Sequence, residues 1–498
     1  MTNLYTQLIN HFPEDRSQIV IESLEGEKWS YLVLEQQTAR FANTLTRLGV
    51  KKGDRVAALV DKSPQALSLY LACLQTGAIY LPLNTAYQLP EIDYFFADAK
   101  PRVVICLPEL REAISELAIR HGVRQVLTLD EQGMGTLTSE AKTENPTFET
   151  VPCQDNDIAA ILYTSGTTDK PKGAMLTHEN LFSNALILRE AWQWTSSDVL
   201  LHALPLFHVH GLFVACHCAL LSGAKMFLLP KFDTRSVLDY LPRSTVFMGV
   251  PTYYSRLVGE EGLSADVCRS MRLFVSGSAP LPENVFYAFR DLSGHTILER
   301  YGMTETLMNT SNPYEGPRKP SSVGPALPYV GVRVVNRTGP EGIGNIQIKG
   351  PNVFKGYWRL PEKTAQEFTP DGWFETGDLG TIDEDGYLFI SGRGKDLIIT
   401  GGYNVYPREI ERVLEDLDGI RESAVIGIPD PDYGESVIAI VVLESNQKAI
   451  TQERIIAALK KAIVNYKVPK QILFVDELPR NAMGKIQKNA LRDRYSIS

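Results

Sequence analysis

The sequence lacks any apolar run long enough to cross a membrane. The nearest candidate, residues 211–221, falls well short of the ~20 residues that a membrane-spanning helix needs, and His217 interrupts it. Residues 1–13 contain no basic segment followed by an apolar one, so we predict no signal peptide. We therefore expect a cytoplasmic protein that has no membrane partner.

Cysteine is scarce, and positive charge is not in excess. Six cysteines in 498 residues are too few for a disulfide framework, which favours a reducing compartment. The 50 lysines and arginines are outnumbered by 59 aspartates and glutamates, which gives a net charge of -9. This balance argues against nucleic-acid binding, and nothing in the sequence indicates an obligate protein partner.

One short stretch contains several residues of types that bind metals. They are His208, His210, Cys216, His217 and Cys218. Their spacing matches no zinc pattern, and the stretch is as apolar as a buried helix. We therefore predict a helix here and no metal site.

Predicted strands and helices alternate along the first 330 residues. In the N-terminal part, strands are predicted at 55–60, 80–83 and 102–106, with helices at 64–77 and 91–99. This alternation predicts an α/β fold with mostly parallel sheets covered by helices. Residues 1–150 carry no catalytic motif, so we expect them to serve mainly as a scaffold.

A domain break is predicted at Lys395. Residues 1–394 would form a large domain of several subdomains, and residues 395–498 a small α+β domain. In the small domain we predict helices at 407–417 and 453–464, and strands at 423–428 and 437–443.

The most informative stretch is residues 163–173. It lies between a predicted strand at 158–162 and a predicted helix at 181–192, for which Thr177 is the expected N-cap. Hydroxyl side chains, two glycines and two lysines suit a loop that binds phosphate through backbone amides. The glycine spacing and Pro171 exclude the P-loop of kinases and GTPases. The alternative is a polar surface loop.

This loop resembles the phosphate-binding signature of the adenylate-forming superfamily, which comprises acyl-CoA synthetases, luciferases and the adenylation domains of peptide synthetases. Four further stretches match later signatures of that superfamily in order: residues 298–306, 373–378, 391–396 and 478–488. The chain departs from the pattern at Asp169, where the family usually has glycine. The resemblance covers nearly the whole chain.

The resemblance implies ATP, Mg²⁺ and coenzyme A as cofactors or co-substrates, and a mobile C-terminal lid with its hinge at Lys395. The implied catalytic residues are Lys485, Thr304, Glu305 and His208, with Glu305 holding Mg²⁺. The implied ATP and AMP contacts are Thr164, Ser165, Gly166, Thr167, Thr168, Lys172, Ser278, Ala279, Pro280, Glu299, Tyr301, Gly302, Thr304, Asp378 and Arg393. The implied acyl pocket contains His208, Ser278 and Arg300, and the implied coenzyme A tunnel contains Gly401, Gly402 and Tyr403.

Arg300 bears on which acid is used. By the family comparison it lies at the floor of the acyl pocket, where a buried guanidinium needs an anionic partner. That partner is either Glu299 or another acid of the protein, or a second carboxylate on the substrate. Residues 300–306 are most similar to malonyl-CoA synthetases, so the hypothesis is malonate, with methylmalonate as a poorer substrate.

Several other functions remain open from the sequence. They are a coenzyme A ligase for another short, medium-chain or aromatic acid, a peptide-synthetase module, a luciferase-like oxygenase and a non-catalytic nucleotide-binding protein. No carrier domain follows Lys488, which favours a ligase over a module. Lys485 and Glu305 are both present, which counts against a non-catalytic protein.

Overall fold

A computed structural model describes residues 3–24, 26–164, 170–338, 342–400, 403–430, 433–444, 451–481 and 484–496. The helices are α1 Leu4–Ile9, α2 Tyr31–Arg47, α3 Pro64–Thr76, α4 Leu89–Ala99, α5 Arg111–Arg120, α6 Thr136–Ala141, α7 His178–Ala191, α8 His217–Leu221, α9 Thr234–Tyr240, α10 Pro251–Val258, α11 Glu283–Ser293, α12 Pro361–Gln366, α13 Pro407–Glu415, α14 Gln452–Ala462 and α15 Lys488–Tyr495. Short 3₁₀ turns occur at Pro108–Leu110, Leu241–Arg243, Gly394–Asp396 and Asn465–Lys467, and a π-helix at His210–Cys216.

The strands are β1 Ile19–Ser23, β2 Lys28–Ser30, β3 Arg55–Leu59, β4 Ile79–Pro82, β5 Val103–Cys106, β6 Gln125–Thr128, β7 Ile158–Thr164, β8 Lys172–Thr177, β9 Val199–His202, β10 Lys225–Leu228, β11 Val246–Gly249, β12 Leu273–Ser276, β13 Leu298–Met303, β14 Leu307–Ser311, β15 Gly331–Thr338, β16 Ile343–Lys349, β17 Gly356–Tyr357, β18 Phe374–Ile382, β19 Leu388–Arg393, β20 Ile398–Thr400, β21 Tyr403–Val405, β22 Ile420–Asp430, β23 Gly434–Leu443 and β24 Gln471–Phe474.

Two large sheets form the body of the N-terminal domain. One has seven strands in the order β17-β8-β7-β4-β3-β5-β6, and the other has eight in the order β14-β13-β12-β11-β9-β10-β1-β2. Their central strands run parallel, and the antiparallel pairs lie towards the edges. The α/β fold with mostly parallel sheets is therefore confirmed.

The apolar core lies in layers on both faces of these sheets. One cluster joins the two sheets to each other and contains residues of α3, α7, the π-helix and α8. Every residue of α3 is buried, as expected for a helix enclosed between two sheets. Two further clusters cover the outer faces, one under α10 and α11 and one under α4 and α5.

Two smaller sheets complete the chain. β15, β16, β18 and β19 form an antiparallel sheet that brings Asp378 and Arg393 into register as partners. Strands β20 to β24 form the sheet of the small C-terminal domain, with apolar clusters on both faces and α13 and α14 packed against one of them. The small α+β domain is as predicted; the boundary at Lys395 and the mobility of this domain stay predictions.

The structure corrects the prediction for the segment after residue 169. Residues Lys172–Thr177 form strand β8, which pairs antiparallel with β7, so the predicted loop connects two strands. The helix begins afterwards, at His178, with Thr177 as the expected N-cap: its Oγ1 accepts the Asn180 amide at 3.1 Å. The sequence analysis placed Lys172 and Gly173 in the loop and began the helix at residue 181, so the short apolar run at 174–176 was given no element.

The predicted helix at 211–221 also differs in detail. Its first part is a π-helix, and only His217–Leu221 is α-helical. In the part of the chain that the structure describes, no helix combines the length and apolar character needed to span a bilayer.

Candidate functional site

The site is built at one edge of the eight-stranded sheet. β9, β11, β12 and β13 run parallel, and their register places His202 beside Met248, Gly249 beside Ser276, and Ser276 beside Glu299. Ligands of α/β sheets bind beyond the carboxyl ends of such strands. The side chains that follow these strand ends therefore share one cleft.

Arg300 is the most unusual group in this cleft. It is 2% exposed, and its Nε and Nη2 atoms have no hydrogen-bond partner among the described residues. Burial lowers the pKa of its guanidinium to about 9, which Tyr254 and Glu299 only partly oppose. A buried cation without an ion pair costs several kcal/mol, so Arg300 is prepared for an anion.

Glu299 does not supply that anion. Its Oε1 accepts the Leu281 amide at 3.0 Å, and no ion pair joins it to Arg300 in the described structure. Burial raises the pKa of the Glu299 carboxyl to about 7, with Arg408 and Arg300 lowering it less. No carboxylate of the described residues forms an ion pair with Arg300, and its pairing with a carboxylate of the substrate stays a prediction. A role for Glu299 in ATP binding stays a prediction.

Ser278 and His210 lie beside Arg300. Ser278 has a φ of 75°, a left-handed conformation that costs a non-glycine residue energy and often marks a functional turn. Its Oγ lies 3.4 Å from Nδ1 of His210, whose Nε2 has no partner among the described residues. Burial, and then the charge of Arg300, lower the pKa of His210 well below its usual range. His210 is therefore a neutral imidazole beside Ser278.

His208, which the sequence singled out, lies two residues earlier, just before the π-helix. Burial lowers its pKa to about 4, and its ring centroid is 5.9 Å from that of Phe207. The Coulombic effect of His208 on His210 places the two rings in one neighbourhood. The sequence treated His210 only as a rejected metal ligand, and no motif marked it; the structure places it at the start of the π-helix, directly before Gly211.

Gly277 has no side chain, and the guanidinium of Arg300 occupies the space where one would lie. A Cβ at this position would lie 2.5 Å from Cζ of Arg300, and its three nearest atoms all belong to that guanidinium; the glycine is not in the left-handed region. We expect Gly277→Ala to displace the guanidinium and to lower kcat/KM for the acyl substrate by roughly tenfold or more, about 1.4 kcal/mol.

The matched control for this substitution is Gly259→Ala, because a Cβ at Gly259 meets nothing closer than 3.6 Å. Circular dichroism and steady-state kinetics check both variants. Equal kinetics for G277A and the wild type would show that the guanidinium does not need its present position.

The predicted nucleotide contacts form a second group. The Tyr301 hydroxyl donates to Oδ2 of Asp378 at 2.5 Å, and Nε of Arg393 lies 2.8 Å from Oδ1. Burial and the neighbouring Asp378 raise the pKa of Tyr301 far above its usual range. Each carboxylate oxygen keeps a second lone pair, so Asp378 retains acceptor capacity for hydroxyl groups.

Glu305 and Lys172 lie where β7, β8 and β17 meet. Oε1 of Glu305 accepts hydrogen bonds from Thr164 at 3.1 Å and Tyr357 at 3.2 Å, and burial raises its pKa. The Lys172 ammonium lies 4.2 Å from the centroid of the Tyr357 ring and 3.5 Å from Glu367. Thr304 precedes Glu305 in the turn between β13 and β14.

The oxygen donors around Glu305 suit Mg²⁺, a hard cation. Among the described residues, no group of three or more His, Cys, Asp or Glu side chains could hold a metal by itself. An ion at Glu305 would therefore take its remaining ligands from water and substrate. Mg²⁺ binding at Glu305 stays a prediction.

Lys485 reaches the same region from the small domain. Its amide donates to Oδ1 of Asn481 at 3.0 Å, and the preceding Gly484 packs near Thr252 of the large domain. Burial, then Arg393, lower the pKa of the Lys485 ammonium to about 8, while Asp378 raises it. The charges of Arg393 and Asp378 therefore both act on the ammonium of this C-terminal lysine.

Other predicted residues occupy less informative positions. Ala279 and Pro280 continue the turn after Ser278. Gly302 lies in β13, and a Cβ on Gly302 would be 2.0 Å from the Leu307 carbonyl oxygen. Lys395 is exposed beside β19, and Tyr403 is exposed and stacks on Tyr466 at 4.5 Å. The following predicted residues lie outside the described part of the chain: Ser165, Gly166, Thr167, Thr168, Asp169, Gly401 and Gly402.

Two family models match the chain. The model described as AMP-binding enzyme matches residues 7–358, and the model described as AMP-binding enzyme C-terminal domain matches residues 409–485. A malonate–CoA ligase from Arabidopsis thaliana is 37% identical over 488 residues, covering 89% of this chain and 78% of its own length. A feruloyl-CoA synthase from an Amycolatopsis species is also 37% identical, over 94% of each chain.

Solved structures give a closer comparison. The crystal structure of ATP-bound MatB from Rhodopseudomonas palustris is 50% identical over 99% of both chains, with a TM-score of 0.96. The apo crystal structure of the same protein covers the same share at a TM-score of 0.85. The arrangement of this chain is therefore closer to that of the ATP-bound form.

Proposed function

This chain belongs to the AMP-binding enzyme family, and from that premise we propose that it joins malonate to coenzyme A in an ATP-dependent reaction. A carboxylate oxygen of malonate attacks the α-phosphorus of ATP, and the bond to pyrophosphate breaks. The thiolate of coenzyme A then attacks the acyl carbon of malonyl-adenylate, and AMP leaves with the bonding electron pair. The products are malonyl-CoA, AMP and pyrophosphate.

The buried, unpaired guanidinium of Arg300 carries this assignment. Malonate brings a second carboxylate one carbon away from the reacting one, and this carboxylate can accept two hydrogen bonds from Nε and Nη2. The hydroxyl of Ser278 and the neutral ring of His210 lie beside it. An apolar chain or an aromatic ring in the same place would leave Arg300 without a counter-ion.

The feruloyl-CoA synthase is as similar in sequence as the malonate–CoA ligase, so overall identity does not choose between the acids. The choice rests on the charge of the pocket. A second dicarboxylate such as methylmalonate satisfies the same argument, with its methyl group meeting the walls of the pocket.

For adenylation we assign charge neutralisation and positioning to the residues around ATP, since two anions must approach each other. Tyr301 would stack on adenine, Asp378 would bind the ribose, and Lys485 would contact the carboxylate and the α-phosphate. Mg²⁺ on Glu305 would supply additional positive charge at the phosphates. The loop at residues 164–168 would contribute backbone amides.

For thioester formation we assign a rotation of the small domain about Lys395. Such a rotation withdraws Lys485 and presents the loop with Gly401, Gly402 and Tyr403 to the pantetheine arm. The ion pair of Arg412 with Glu283 crosses between the two domains and would break in this step. We expect the reaction to take place in the cytoplasm.

A panel of acids tests the proposal. The purified protein is supplied with ATP, Mg²⁺, coenzyme A and, separately, malonate, methylmalonate, succinate, acetate, octanoate or benzoate, and thioesters are measured by mass spectrometry. We expect malonyl-CoA as the dominant product. Dominant octanoyl-CoA or benzoyl-CoA would keep the ligase and reject malonate, and the absence of every thioester would reject the ligase.

A further inference from the structure

Lys62 is a buried cation without a carboxylate partner in the described structure. It lies in the loop between β3 and α3 and is 7% exposed. Its Nζ lies 3.1 Å from Nδ1 of His202 and donates to the His202 carbonyl oxygen at 3.0 Å. Burial lowers the pKa of the ammonium to about 7. A lysine is kept in such a place at a cost in stability, which calls for a specific role.

The hydrogen bonds determine the tautomer of His202. Its Nε2 lies 2.9 Å from the carbonyl oxygen of Gly211, which can only accept, so Nε2 carries the hydrogen. Nδ1 of the neutral ring is then an acceptor, and Lys62 is its donor. Burial and the charge of Lys62 lower the pKa of His202 well below its usual range, which keeps the ring neutral.

Gly211 connects this pair to the acyl pocket. It is the second residue of the π-helix His210–Cys216, and a Cβ at this position would lie 2.0 Å from the Pro205 carbonyl oxygen. The backbone therefore makes a close turn here, with the Gly211 carbonyl held by His202. The residue next to it, His210, is the one that faces Ser278. Single-turn π-helical segments occur frequently at functional sites.

We propose that Lys62 is a positioning residue for the second carboxylate of the substrate: through His202 it holds the first turn of the π-helix, and so places His210 beside Ser278 and Arg300. This role rests on the proposed function. The Lys62 and His202 side chains do not contact the substrate themselves. Loss of the Lys62 donor frees His202 to adopt the other tautomer, which can no longer donate to Gly211.

Lys62→Met tests the role, because methionine has a similar length and an apolar body but no donor. We expect the KM for malonate to rise roughly tenfold, with the KM for ATP changed by less than about twofold. His202→Gln keeps one donor and one acceptor, so its KM for malonate should stay close to the wild-type value. His202→Leu keeps neither and should behave like K62M.

Tyr70→Phe is the matched control. It removes another buried hydrogen bond to a histidine, between the Tyr70 hydroxyl and Nε2 of His217 at 2.9 Å, beyond the π-helix. We expect Y70F to lower the thermal unfolding temperature without changing the KM for malonate. If K62M behaves like Y70F, or if it raises both KM values equally, Lys62 is only structural and the proposal is wrong.

Crystal structures of the variants test the position of His210 independently of turnover. The proposal expects His210 to move away from Ser278 in K62M and in H202L, and to stay in H202Q. An unmoved His210 in a folded K62M would overturn it, and if K62M does not fold, the H202L and H202Q pair carries the test. If the wild type does not use malonate, the proposed function fails, and these structures still test the positioning of His210.

Discussion

Replacing Arg300 with alanine or methionine is expected to abolish the activation of malonate while leaving ATP binding unchanged. The guanidinium is buried, and its Nε and Nη2 have no partner among the described residues, so it can form two parallel hydrogen bonds with a carboxylate. Removing one partner of a buried charge pair costs about 2–5 kcal/mol, so kcat/KM for malonate should fall by roughly 30-fold to several thousand-fold. Pyrophosphate release and ATP titration measure the two effects.

The control for this prediction is Arg318→Met. Arg318 is also partly buried, and its guanidinium donates to main-chain carbonyls, including those of Pro313 and Tyr314, away from the cleft. R318M should lose stability without a change in acid preference. An Arg300 variant that still turns over malonate at the wild-type rate would mean that the second carboxylate is bound elsewhere.

Replacing Lys485 with alanine is expected to stop adenylation and to spare thioester formation from malonyl-adenylate. Its ammonium lies by Asp378 and Arg393 at the nucleotide side of the cleft, and its pKa of about 8 leaves it mostly charged at neutral pH. Loss of one preorganised charge at a phosphoryl-transfer site costs roughly 10²–10³-fold in kcat. Pyrophosphate release reports the first step, and synthetic malonyl-adenylate with coenzyme A reports the second.

Lys488→Ala serves as the control, because this lysine pairs with Glu411 inside the small domain at 2.5 Å. K488A should keep both half-reactions. If K485A slowed both half-reactions equally, Lys485 would be acting through the fold of the small domain and not through the charge of its side chain.

The helices and strands were predicted well from the sequence, because the periodicity of apolar residues indicates which face of an element is buried. The α3 and α4 helices, the central strands and the N-cap at Thr177 depend on local patterns, and these were read nearly to the residue. Strand β8 was missed because it pairs with β7 through a hairpin of 7 residues and directly precedes a helix. An apolar run in that place has no local feature that separates strand from helix.

The site was predicted less completely, for a physical reason. Tyr301, Asp378 and Arg393 carry family signatures, and the structure brings them together. Lys62 and His210 carry none, since their importance comes from contacts between β3, β9 and the π-helix that only the folded chain creates. The sequence therefore assigned residues 1–150 to the scaffold, whereas we propose that Lys62 positions His210 through His202.

The central claim is that Arg300 binds a second carboxylate, and the most direct test compares malonate with its monomethyl ester. The ester keeps the reacting carboxylate and the carbon skeleton but neutralises the distal charge. With the wild-type protein, we expect kcat/KM for malonate to exceed that for the ester by roughly 10²-fold or more, and the R300M variant to lose this preference. Equal use of both acids by the wild type would contradict the account.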